Sequence, residues 1–142
     1  MTSREALHRL FEGMRADAAD YNRLRELLEE QFKAALAHRA EEISVIAEKI
    51  LALTATLNVR SRERAELARA LSKSKARKVS IRAFTAQLPA PAREKFESAW
   101  KLLETLVREC KRLNVRNGHL LMTQRDIMQR VLNIEPDVYA PA

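Results

Sequence analysis

From the N-terminus onward apolar residues fall three and four positions apart: Leu7, Leu10, Phe11, Met14, Ala18, Tyr21, Leu24, Leu28, Phe32, Ala35 and Leu36. That is the period of a helix with one buried face, sustained for about five heptads, and it predicts a helix over about 3–38. Thr2 or Ser3 can cap its start, and Gly13 costs up to about 1 kcal/mol relative to alanine without breaking so long a pattern. A second stripe, Ile43, Ile46, Ile50, Leu53, Leu57, Leu67 and Leu71, predicts a helix over about 40–71. Its register puts Arg60 and Arg64 on the inner face. Either the helix leaves the core there, or the long side chains reach past it to water. No glycine or proline separates the two segments, so a tight turn around 37–41 is predicted to join antiparallel helices.

The stretch Ser-Lys-Ser-Lys-Ala-Arg-Lys at 72–78 has no large apolar side chain and reads as part of a linker over about 72–90. Val79, Ile81, Phe84 and Leu88 could form one or two helical turns within it, ended by Pro89 and Pro91. The helical period then resumes through Phe96, Trp100, Leu103, Leu106, Cys110, Leu113, Leu120, Leu121, Ile127, Met128 and Val131. Asn117-Gly118 is locally a turn signal. Yet Cys110, Asn117, Gln124 and Val131 share one heptad position, so the phase carries through and one continuous helix over about 91–133 is favoured. Pro136 stops it and leaves a tail, 134–142. The predicted fold is all-α: an elongated antiparallel bundle of three long helices, coiled-coil-like, forming a single domain with a short helical piece and a basic linker in its middle.

Composition agrees with this pattern. Of 142 residues only two are glycine and four proline, which argues against a many-stranded sheet. The net charge of +7 is local. Between Arg60 and Arg82 stand nine basic residues against Glu63 and Glu66, while the rest of the chain holds 17 of each sign. This stretch could bind phosphate backbones or an anionic membrane surface. It lacks interleaved aromatics and groove-reading motifs, so a solvated helix end is the favoured reading and nucleic acid is not the expected partner. No apolar run approaches the roughly 20 residues that span a bilayer, and no apolar signal segment opens the chain.

Candidate chemistry is sparse. Glu5-x-x-His8 has the spacing used in carboxylate di-iron bundles, but those need a second such pair and none exists. The single cysteine, Cys110, sits on the apolar stripe, where a buried inert thiol is expected. There is no phosphate-binding glycine loop, and the expectation is a non-enzymatic protein without metal or cofactor. The polar interruptions Asn114, Asn117 and Gln124 stand beside Leu113, Leu120 and Leu121. Buried amides are costly without hydrogen-bond partners. They therefore either set helix register or lie on a face that a partner covers.

Leu113-Asn114-Val115-Arg116-Asn117-Gly118-His119-Leu120-Leu121 resembles the L-N-x-x-N-G-x-L-L signature of the FlgN family of flagellar export chaperones. Glu135-Pro136-Asp137-Val138-Tyr139 resembles the Pro-x-x-Tyr tail that follows that helix in enteric members. The motif match covers 113–139 and the helical layout most of the chain. The resemblance implies a cytoplasmic type III export chaperone. Such a protein holds the C-terminal helical segments of hook-filament junction proteins (FlgK and FlgL type) unassembled and delivers them to the export-gate protein FlhA. By this resemblance Leu113, Asn114, Asn117, Gly118, Leu120 and Leu121 are candidate cargo contacts. Periodicity extends that face to Gln124, Ile127, Met128 and Val131. Met122 and Met128 would add adaptable contacts. Tyr139 is the candidate gate contact, or else an exposed tail residue. A basic chain departs from the many acidic or near-neutral family members. The other readings are a basic helical protein binding nucleic acid or anionic lipid through 60–82 and a structural coiled-coil adaptor. An open stripe can also pair with itself.

Overall fold

The computed structural model describes residues 3–71, 85–86 and 88–134. Among them are three α-helices and no strand: α1 (Ser3–Leu36), α2 (Ala40–Leu71) and α3 (Ala90–Ile134). The predicted linker 72–90 lies outside the described residues except at Thr85, Ala86 and 88–90, and the predicted tail does so from residue 135.

α1 ends two residues before the sequence pattern does, because the chain reverses at His38. The Arg39 N–H donates to Ala34 O (2.9 Å) and the His38 N–H to Ala35 O (3.1 Å), closing a Schellman cap. His38 takes the left-handed position of that cap, with φ of 54°. Glycine usually fills this place, and the tight turn predicted around 37–41 is made here without one. α3 starts at Ala90, where the Arg93 N–H donates to the Pro89 carbonyl (2.9 Å), and Pro91 sits in the first turn, where its missing N–H costs nothing. The helix runs unbroken through Asn117-Gly118.

α1 is the shared partner of the other two helices. α2 packs antiparallel to it, with Ile46 against Leu27 and Ala34 at one end and Arg60 against Asp17 and Asp20 towards the other. α3 packs parallel to it, so the order is up, down, up. No Cα of α2 comes within 8 Å of one of α3 among the described residues. Their side chains meet over α1 instead, where Leu57 joins Leu24, Leu28, Cys110 and Leu113 in one buried cluster. Nearer the N-terminus of α1, Leu10 and Met14 pack on Phe96 and Leu103, with Leu88 alongside. Phe96 meets Phe11 edge-on (6.0 Å between centroids) and stacks on Trp100 (5.8 Å). Such pairs contribute about 0.5–1.5 kcal/mol each beyond the area they bury.

Candidate functional site

The seam between α1 and α3 holds a repeated polar contact. The Cys110 thiol donates to Tyr21 O (3.4 Å), Asn117 Nδ2 to Leu28 O (2.7 Å) and Gln124 Nε2 to Ala35 O (2.8 Å). Each donor lies 89 positions beyond its acceptor, and the three rungs are one heptad apart on both helices. Asn117 is 1% exposed and also donates to Gln31 Oε1 (3.0 Å). Its own Oδ1 accepts from Arg116 Nε and Nη2 (3.2 and 3.1 Å). Arg116 in turn pairs with Glu29 (3.0 Å) and lies 3.7 Å above the Phe32 ring. Burial raises the Cys110 thiol above its ordinary pKa, and burial followed by the Asp17 charge does the same for the Tyr21 phenol.

This seam divides the predicted contact set. Leu113 and Asn117 are buried against α1, and Gln124 is half-buried and bonded to it. These three hold the helix to its own core, so the open face expected at Leu113 and Asn117 is filled by α1. Leu120 and Leu121 are half-buried. Asn114 and Gly118 are exposed. Ile127 (56% exposed), Met128 (60%) and Val131 (42%) lie beyond the last rung. The reason is a difference in helix length. α1 stops at Leu36, level with residue 125 by the common offset, whereas α3 continues to Ile134. About nine residues of α3, roughly 14 Å at 1.5 Å per residue, therefore overhang with their apolar stripe uncovered. Tyr139 lies outside the described residues.

Earlier along α3, α2 and α3 flank a cleft floored by α1. A hollow of about 300 Å³ in it is lined by Asp17, Tyr21, Arg64, Trp100, Val107 and Lys111, among others. Asp17, 1% exposed, forms ion pairs with Arg60 (2.8 Å) and Arg64, and Arg60 also reaches Asp20 (2.7 Å). The Arg64 guanidinium stands 5.9 Å from the Trp100 ring centroid. Burial alone would lower the Arg60 pKa, but hydrogen bonds to Asp17 and Asp20 outweigh it and raise the value. The two arginines expected to leave the core or reach past it are thus tied inward. Of the nine cations in 60–82, these two are engaged by Asp17 and Asp20, and those from Lys73 to Arg82 lie outside the described residues.

Sequence reasoning passed over Asp17, Arg116, Leu51 and Val115. Asp17 falls at helical spacing from Met14 and Tyr21, an acid on the apolar face that could have flagged a buried ion pair. Leu51 and Val115 carry no such signal, since each simply falls off its stripe. Among the described residues no group of three or more His, Cys, Asp or Glu is placed to hold a metal, and no helix is long and apolar enough to cross a membrane.

Comparison with known proteins is consistent with this layout. The family model described as FlgN protein matches residues 1–134. No curated protein and no solved structure matches the chain.

Proposed function

The chain belongs to the FlgN family of flagellar export chaperones, and from that premise we propose that it works in the cytoplasm as a holder of hook-filament junction proteins of the FlgK and FlgL type. It binds their C-terminal helical segments, keeps them from assembling early, and passes them to the export gate through FlhA. The contact surface is the overhanging stripe Ile127, Met128 and Val131, continued by Asn114, Gly118, Leu120 and Leu121. Leu113, Asn117 and Gln124 hold that surface in place. Tyr139 is the gate contact.

The observation that carries this reading is the uncovered end of α3. Beyond Leu36 it has no α1 beside it, and its apolar positions stay exposed. An amphipathic guest helix laid there takes the place α1 has vacated, a helix-in-groove mode. Each large apolar side chain that becomes fully buried contributes about 1.5–3 kcal/mol, less the cost of ordering the guest.

The test is capture of a purified junction protein by the full chain and by an Ile127→Asp/Met128→Asp variant. Both positions are solvent-facing, so the variant should melt like the parent and lose capture. Undiminished capture by a folded variant would refute the surface. Tyr139→Ala should leave capture intact and weaken binding to FlhA, and loss of both or of neither would remove the gate assignment.

A further inference from the structure

We infer that the guest of this chain is an amphipathic helix with acidic flanks, seated along the cleft between α2 and α3 and continuing onto the overhang; this rests on the guest-binding role proposed above. The shape of the cleft comes first. α2 presents an uncharged strip at helical spacing, Ala47, Leu51, Thr54, Asn58, Ser61 and Ala65. Its charged flank, with Glu63 and Glu66 at one end and Glu42 and Lys49 at the other, lines hollows shared with α1 only. The uncharged strip is therefore the one turned towards α3. Leu57 shares a cluster with Cys110 and Leu113, so Leu51, less than two turns earlier on an antiparallel helix, stands level with Gly118.

Across from it, α3 repeats Val107, Lys111, Val115, Gly118, Met122 and Arg125 on the face that lines the hollow beside Arg64. Leu51, Val115 and Met122 are 68%, 58% and 63% exposed, large apolar side chains left open to solvent among the described residues. A Cβ built on Gly118 meets nothing within 4 Å, so the glycine does not relieve crowding inside the chain. What it leaves is a low point between Val115 and Met122 where another helix can come close.

Charge then selects the guest. From Lys101 to Val131, α3 carries seven basic residues and three acidic ones. Glu104 and Glu109 are paired with Arg108 and Arg112, and Arg116 with Glu29. Lys101, Lys111, Arg125 and Arg130 make no ion pair among the described residues, against Asp126 alone. An apolar strip rimmed by these cations is complementary to an apolar stripe rimmed by carboxylates.

Two fluorescent synthetic peptides of about 28 residues, long enough for some 40 Å of helix, test this against the full chain by anisotropy. They share one leucine stripe and differ only in flanks of glutamate or lysine. The glutamate peptide should bind about tenfold more tightly, at about twofold for each of three to four exposed pairs. High salt should erase most of that preference. Lys111→Glu/Arg125→Glu/Arg130→Glu should invert it with melting unchanged. Equal affinity for the twins, or the same preference in the triple variant, overturns the acidic guest. If both twins then still fail to bind Ile127→Asp/Met128→Asp, the guest-binding role survives that loss. Phosphatidylglycerol vesicles holding the chain through the same three cations as tightly as the peptide would mark a lipid surface and also overturn it. Binding of neither twin overturns both the inference and the role.

Discussion

Exchanging Asn117 for alanine strips two donor bonds from the α1–α3 seam, those to Leu28 O and to Gln31 Oε1. The Leu28 carbonyl keeps its place in the helical ladder, so its loss is modest. Gln31 is 8% exposed, so its Oε1 is left with little access to solvent. At about 0.5–1.5 kcal/mol net per bond and about 1–3 kcal/mol for a buried group left unpaired, the variant should lose about 2–4 kcal/mol. Asn117→Leu/Gln31→Leu replaces both partners by apolar groups of similar volume and should come within about 1 kcal/mol of the parent. Its defect should be register. The carbonyls of Tyr21, Leu28 and Ala35 recur every heptad, so bonds to them forbid a slip of three or four residues but not of seven. Gln31 occurs once and makes the position of Asn117 unique. Urea unfolding reads the first effect. Spin labels at Lys33 and Met122, exposed positions at the common offset, read the second. The parent should give one distance, and the double-leucine variant a second population in which α3 has moved by about 10 Å along α1. A single unchanged distance in a stable double-leucine variant would refute the claim that this amide pair sets the register.

Further expectations concern charge, backbone and pH. Asp17→Asn leaves Arg60 and Arg64 without their buried partner and should cost about 3–5 kcal/mol in urea unfolding, whereas adding Arg60→Met and Arg64→Leu to Asp17→Leu should recover most of it. His38→Gly relieves the left-handed cap and should raise stability by about 0.5–1 kcal/mol, and a loss there would mean the His38 side chain contributes what the backbone lacks. Gly118→Ala should stabilise the free chain by up to about 1 kcal/mol, while Gly118→Leu should fold and yet weaken guest capture. Because burial raises the folded Cys110 and Tyr21 pKa values, their contribution to stability is complete below the unfolded thiol value of about 8.5 and is lost as pH rises through the folded values. Stability should therefore fall on the alkaline side. The Cys110 thiol should resist alkylation in the native protein at pH values where the urea-unfolded chain reacts at once.

The spacing of leucines and isoleucines was enough to place all three helices, since a one-sided apolar stripe is the most local signal a chain carries. Where the sequence misled, non-local pairing was at work. Nothing near Arg60 says that it will meet Asp17, more than forty residues away, so an arginine on an inner face reads as a helix leaving the core or as a long side chain reaching past it to water. Asn117 and Gln124 read equally as register pins or as open contacts, because only the length of α1 decides which carbonyl faces them. The same length decides the site. Val131 occupies the heptad position of Asn117 and Gln124, and it is exposed only because α1 has ended before reaching it. The turn at His38 that ends α1 has no glycine or proline to announce it.

That ending leaves the fold with a conflict. A slip of α3 by one heptad would bring Val131 to the level of Ala35 and cover part of the apolar overhang, at about 1.5–3 kcal/mol for each large side chain fully buried. The chain would gain core and lose its free surface. The heptad-spaced carbonyl bonds do not oppose this, since Asn117 and Gln124 would find the carbonyls of Tyr21 and Leu28 instead. Opposition comes from contacts that exist at one level only: Asn117 with Gln31, Arg116 with Glu29 and Phe32, and Phe96 with Phe11. These hold the stripe open while α1 and α2 keep the rest of the molecule folded. Loosening them should therefore damage function before stability. Asn117→Leu/Gln31→Leu with Arg116→Ala should stay helical and cooperative in unfolding, yet capture a guest helix several-fold more weakly in proportion to the slipped population seen by the spin labels. Full capture by a chain that has slipped would show that the overhang is not where the guest binds.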